Sequence, residues 1–93
     1  MTPLVSVCMT TYNHEKYIAQ AIESVLGQRT TFAVEVVVGE DCSTDSTLAI
    51  CRKYEEQYPD RVRVVASESN IGMHRNYRRT IEACRGKYIA MLD

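Results

Sequence analysis

The chain has 93 residues, 45% of them hydrophobic and 25% charged, with 11 basic against 12 acidic side chains and a formal net charge of −1. That length holds one small domain, which buries only about 60 to 65% of the surface its unfolded chain exposes. The near-neutral balance supplies no field to steer nucleic acid or an anionic membrane, and no apolar run approaches the ~20 residues of a membrane span, so neither partner is expected.

The elements follow in a regular alternation. Leu4 to Met9 is a short run rich in β-branched residues, bounded by Pro3 and by a polar Thr-Thr-Tyr-Asn cluster, and it predicts a buried strand. Asn13 is placed to cap a helix on which Ile18, Ala21, Ile22, Val25 and Leu26 recur at helical spacing, with Gly27 at its end. Val34 to Gly39 is nearly continuous in valine, as suits a parallel strand covered on both faces. A polar turn, Glu40 to Asp45, follows, and Ser43 through Asp45 can cap a second helix that carries Leu48, Cys51, Tyr54 and Tyr58 inward and halts before Pro59.

Val62 to Ala66 predicts a third strand. A third helix is expected to carry Met73, Tyr77, Ile81 and Cys84 inward and to stop at Gly86, and Tyr88 to Leu92 predicts a buried fourth strand. Strands separated by single helices are parallel with right-handed crossovers. The fold class is therefore α/β, a Rossmann-like open parallel sheet whose strand order is 3-2-1-4 if the chain winds outward and then returns. A ligand is then expected at the switch point between strands one and four, where the loops hold Thr10 to Asn13, Glu40 to Ser43, and Asp93.

Cys8, Cys42, Cys51 and Cys84 are widely and irregularly spaced, with no C-x-x-C pair and no secretory signal in this chain. Reduced thiols and a cytoplasmic location are expected. The turn after the first strand contains no glycine, which excludes the G-x-G-x-x-G of a dinucleotide fold, and no G-x-x-x-x-G-K-[ST] phosphate loop is present. The turn offers instead the hydroxyls of Thr10 and Thr11, the Tyr12 ring and the Asn13 carboxamide. Stacking on Tyr12 with hydrogen bonds from its neighbours suits a planar base, and Asp41 one loop away can accept from a base imide; packing of Tyr12 over the helix start, and capping or solvation of Asp41, are the competing structural readings. His14 and His74 have no second ligand at metal spacing and carry no assigned chemistry. Arg75, Arg78 and Arg79 read as a solvated helix face.

Together these segments resemble the amino-terminal half of an inverting family 2 glycosyltransferase with the GT-A fold. The resemblance rests on Val5-Ser6-Val7 running to Thr10-Thr11-Tyr12-Asn13, on Glu23-Ser24-Val25-Leu26-Gly27-Gln28, and on Glu35-Val36-Val37-Val38 before Glu40-Asp41-Cys42-Ser43-Thr44-Asp45. It continues through Asn70-Ile71-Gly72 and Gly86-Lys87-Tyr88-Ile89-Ala90-Met91-Leu92-Asp93. The chain as a whole would then be one truncated nucleotide-sugar-binding subdomain.

The resemblance implies that Thr10 and Tyr12 line the base pocket, that Asp41 binds the imide nitrogen, and that Asp93 is the first acid of a D-x-D element near the ribose and a Mg²⁺ or Mn²⁺ ion. The donor implied is a nucleotide sugar, with a UDP-sugar foremost. The next acid of that element and the general base would lie beyond Asp93, so these residues alone would grip the nucleotide without turning it over. In the full-length protein the location could include the inner face of the membrane. Two departures stand out: Cys42 occupies a position where the family usually has glycine, and Met73-His74-Arg75-Asn76 follows Gly72 at once, which puts a phosphate role for Arg75 in doubt. A stand-alone, non-catalytic nucleotide-binding module is the alternative, and the reading frame beyond Asp93 separates the two. The fourth strand, without sheet partners on its outer side, would invite pairing between copies.

Overall fold

A computed structural model describes residues 2–92 of the chain. Its elements are β1 (Val5–Thr11), α1 (Ile18–Leu26), β2 (Val34–Glu40), α2 (Thr47–Gln57), β3 (Val62–Ala66), α3 (Met73–Ala83) and β4 (Tyr88–Leu92). The strands form one parallel sheet in the order β3-β2-β1-β4, as the winding argument requires. In this register Thr11 stands beside Glu40 and Met9 beside Leu92, so β1, β2 and β4 end at one edge.

One face of the sheet is apolar. Met9, Val36, Val38 and Val62 from the strands meet Ile18 and Ile22 of α1 and Cys51 of α2, all buried, with Ile50 and Tyr54 packed against them. The burial of Cys51 pushes its thiol up to about 12, which keeps it a small apolar group. Tyr58, expected inside, is 40% exposed because α2 has already ended at Gln57.

The opposite face, covered by α3, sets the buried Cys8 and Val37 among polar groups. The buried residues of α3 are Asn76 and Thr80, with Tyr77 and the following Cys84 half-buried, whereas Met73 is 71% exposed and Ile81 37% exposed, so only part of the expected apolar stripe turns inward. The reason is on β2. Gly39 has no side chain, and a Cβ there would stand 1.9 Å from Thr80 Oγ1, so the small polar side of α3 seats where the strand surface is lowest. Asn76 Nδ2 then donates to Gly39 O at 2.9 Å, and Thr80 Oγ1 donates to Asn76 O at 2.6 Å.

Below them lies a buried acid that the sequence pattern does not announce. Glu35 is 1% exposed; it accepts from Ser6 Oγ at 2.5 Å and from Arg85 N at 2.8 Å, while the Arg85 guanidinium meets it at 3.0 Å and Arg63 Nε stands 3.4 Å away. Burial lifts its pKa, but the bonds from Ser6 and Arg85 and the charge of Arg63 outweigh that, so the net shift is downward from 4.5. The network joins β1, β2, β3 and the end of α3.

Other corrections are local. Asn13 does not cap α1: a turn closed by Tyr17 N and Ile18 N on His14 O precedes the helix, whose first flanking residue is Tyr17. Asp45 does serve α2, its Oδ1 accepting from Thr47 N at 2.9 Å. β4 is exposed from Tyr88 to Met91 rather than buried, because no element among the described residues covers its outer side.

The depressed Glu35 fixes a pH response. A carboxylate whose folded pKa lies below its unfolded value stabilises the fold above the unfolded value, and that contribution is lost as pH falls through the folded one. Stability should therefore drop below about pH 4.5, and Glu35→Gln should cost about 1 to 3 kcal/mol near neutrality while flattening this acid limb. Urea denaturation at neutral and acid pH checks this; a variant with the wild-type acid limb would contradict it.

Candidate functional site

The strand ends generate a cavity. Thr10 and Thr11 end β1, Tyr12 and His14 follow in the loop, Asp41 follows β2, and Gly72, Met73 and Asn76 at the start of α3 close the far side around about 430 Å³. A second cavity of about 240 Å³ adjoins it, sharing Thr10, Thr11 and His14 and continuing over Met9, Ile18 and Ala21. Ligand sites of open α/β sheets lie at this edge because parallel strands deliver all their loops to it.

Asp41 organises the larger cavity. Only 4% exposed, its Oδ1 accepts from Ile71 N at 2.7 Å and its Oδ2 from Gly72 N at 3.0 Å, with Ser67 Oγ a further donor at 3.4 Å. Asn70 Nδ2 adds a bond to Asp41 O at 3.3 Å. The Asn70-Ile71-Gly72 segment is thereby strapped to the end of β2. Gly72 sits at φ 87, where only glycine is free of strain, and this turn aims α3 across the cavity. A carboxylate has about four acceptor sites, so Asp41 keeps capacity for one further donor from the cavity.

Two neighbours explain the loop before α2. Cys42 adopts φ 55, the left-handed region that costs an L-residue about 1 to 2 kcal/mol, which is why a glycine suits this position. Glu40 is a fully buried end of β2 rather than part of the turn: its Oε1 accepts from Ser43 N at 2.9 Å, and Oε2 has no hydrogen-bond partner among the described residues. Arg79 is not part of a solvated face either. It reaches back to Glu40 O at 2.7 Å and Asn76 Oδ1 at 2.9 Å, tying α3 to β2.

Of the residues expected at the site, Thr10, Thr11, Tyr12 and Asp41 come together on the cavity wall. The Tyr12 ring is 43% exposed there, so it is open to stacking rather than buried over the helix start. Asn13 is turned away: at φ 54 its Oδ1 accepts from Thr44 N at 2.8 Å and its N donates to Ser43 Oγ at 2.9 Å, so it joins the β1 and β2 loops without lining the cavity. Arg75 is exposed and does not line it.

Asp93, expected at both nucleotide and metal, lies outside the described residues. Leu92 ends β4 beside Met9, one residue from Thr10, so the strand runs to the same edge. Among the described residues no three acidic, histidine or cysteine side chains form a metal cluster. His14, Asn70, Met73 and Asn76 are cavity residues that sequence reasoning missed as such; the Asn70-Ile71-Gly72 motif was the available signal, but its pairing with Asp41 is tertiary.

The clamp has a direct test. Asp41→Ala should leave the Ile71 and Gly72 amides without their acceptor, costing about 1 to 3 kcal/mol and accelerating hydrogen exchange at both. Unchanged exchange at these amides would contradict the clamp.

Known proteins resemble this chain in sequence and fold. The model of the family described as "Glycosyl transferase family 2" matches residues 6–93. Chondroitin synthase from Escherichia coli is 41% identical over 91 residues, covering 98% of this chain and 13% of that protein. The structure of S. aureus TarS 1-349 in complex with UDP superposes with a TM-score of 0.80 at 34% identity, over 96% of this chain and 26% of that one. A mannosyltransferase from Pyrobaculum calidifontis in complex with GDP-Man and Mn²⁺ gives 0.80 at 25% identity, again over 96% and 26%. The chain thus spans about a quarter of the length of several relatives. Its fold superposes on these GT-A neighbours, and with the family model covering nearly all of it, the chain belongs to glycosyl transferase family 2.

Proposed function

We propose that these residues form the nucleotide-diphosphate-sugar binding subdomain of an inverting glycosyltransferase that moves a sugar to an acceptor hydroxyl. The observation that carries the reading is the cavity at the strand ends, with an exposed aromatic ring, Tyr12, on the same wall as the buried carboxylate Asp41. Tyr12 stacks on the base. Asp41, its position fixed by the Ile71 and Gly72 amides, accepts from the base imide with its remaining capacity. Thr10 and Thr11 supply hydroxyl and backbone contacts, and Asn13 holds the two loops in place.

Asp93 would hold Mg²⁺ or Mn²⁺ together with an acid beyond it. The ion, when bound, neutralises charge on the departing diphosphate. Inverting attack also needs a base to deprotonate the acceptor. On this reading that base lies outside the nucleotide cavity, and this subdomain binds the donor without transferring its sugar. A UDP-sugar is the leading donor, supported by UDP in the TarS structure. The irregular cysteine spacing supports a cytoplasmic location, and no helix among the described residues is long and apolar enough to cross a membrane.

The exposed apolar side chains Tyr88, Ile89 and Met91 make β4 a self-pairing edge for isolated copies. Light scattering of this chain at millimolar concentration should show dimers or larger species, and a clean monomer would oppose this. The nucleotide reading is tested by amide chemical-shift titrations with UDP, CDP, GDP and dTDP. Shifts at Thr10–His14, at Asp41 and Asn70–Gly72, and at Asp93 are expected, with one base preferred. Tyr12→Ala should weaken that binding by about 1 to 3 kcal/mol. Shifts elsewhere, or an unaffected variant, would overturn the assignment.

A further inference from the structure

We propose that Glu40 is a positioning residue of this site: through Ser43 and Asn13 its buried carboxylate sets where the Tyr12 ring stands, and so how tightly a nucleotide is held. The inference rests on the reading of the cavity as a nucleotide site. Tyr12 is bracketed by two bonds to the loop after β2. On one side Thr11 O accepts from Asp41 N at 3.1 Å, and on the other Asn13 N donates to Ser43 Oγ at 2.9 Å. Asp41 thus meets the chain just before the ring, and Ser43 meets it just after.

Ser43 is itself fixed by Glu40. Its N donates to Glu40 Oε1 at 2.9 Å, which closes the turn from Glu40 to Ser43 around Cys42, the residue at φ 55. In the other loop Asn13 is also left-handed, at φ 54, and its Oδ1 accepts from Thr44 N at 2.8 Å. A residue with a side chain stays in that region only when its surroundings hold it there. The bonds from Glu40 to Ser43 and from Ser43 to Asn13 are such a hold, shared by both loops. Beyond them His14 N donates to Thr47 Oγ1 at 2.9 Å and Glu15 Oε2 accepts from Ser46 N at 2.9 Å, so the two loops run side by side as one clasp.

Neither helix capping nor the stability of the sheet accounts for a carboxylate here. The start of α2 is served by Asp45, which accepts from Thr47 N, and Ser43 lies before that helix. Glu40 is fully buried, and its Oε2 has no hydrogen-bond partner among the described residues. A buried, half-satisfied carboxylate works against folding, so an apolar side chain of similar shape costs the fold little. The half-buried Ser43 amide, by contrast, loses its fixed position when that acceptor is removed. Stability and ligand affinity are thereby separable at this residue.

The test measures UDP affinity by amide-shift titration, metal-free, for Glu40→Met, which removes the acceptor, and for Glu40→Gln, which keeps one, each with Tyr12 present and combined with Tyr12→Ala. With Tyr12 present, Glu40→Met should weaken UDP binding about three- to tenfold, the size of coupling expected between residues joined through one network. Combined with Tyr12→Ala it should add no loss. Glu40→Gln should bind as the wild type does, because its carboxamide oxygen accepts from the Ser43 amide. Ser43→Ala, which removes only the hydroxyl that receives Asn13 N, should reproduce the loss with Glu40 intact, and this guards against a folding defect in the methionine variant. An equal loss from Glu40→Met with and without Tyr12, a Glu40→Gln variant as weak as Glu40→Met, or wild-type affinity in Ser43→Ala would overturn the role of Glu40 while leaving the nucleotide site standing. If UDP did not bind the wild type, the nucleotide reading would fall and this inference with it.

Discussion

The site depends on one buried carboxylate. Asp41 receives the Ile71 and Gly72 amides on its two oxygens, and so joins the end of β2 to the start of α3. Charge-assisted bonds of this kind are about twice as strong as neutral ones, and here they fix a loop that would otherwise be free to move. Without them the Asn70-Ile71-Gly72 stretch of the cavity wall loses its anchor, while Asn76 and Arg79 still tie α3 to β2. The same side chain that would read the base thus also builds the pocket, and this couples recognition to local stability.

The two faces of the sheet divide the work. The α1 and α2 face is an apolar core. The α3 face is held by hydrogen bonds and charge: Glu35 with Ser6, Arg85 and Arg63 at one end, and Asn76 with Gly39 and Arg79 at the other. A polar layer leaves directional groups close to the ligand edge, at the expense of a dependence on every partner being present. Gly39 makes the arrangement possible by letting α3 approach the strand.

Much of this could be read from residues alone. The valine run of β2, the spacing of Ile18, Ile22 and Val25, and the glycine-free turn after β1 each carry local physics, and they led to the sheet order and to Thr10, Tyr12 and Asp41 at one edge. What escaped was tertiary. Met73 and Ile81 of α3 suggested a face that the helix leaves exposed, because periodicity cannot see that the surface beneath is a glycine flanked by buried polar groups. Asn13 has the chemistry of a cap but spends it across the gap on Thr44. His14 has no sequence partner at metal spacing, and only the fold brings it to the junction of the cavities.

The central claim is that a base sits between Tyr12 and Asp41, and intermolecular nuclear Overhauser contacts in the UDP complex of this chain test it most directly. The account predicts contacts from uracil H5 and H6 to the Tyr12 ring, together with a shifted Gly72 amide. Contacts from the uracil to the exposed β4 residues or to the outer face of α2, with none to Tyr12, would contradict it.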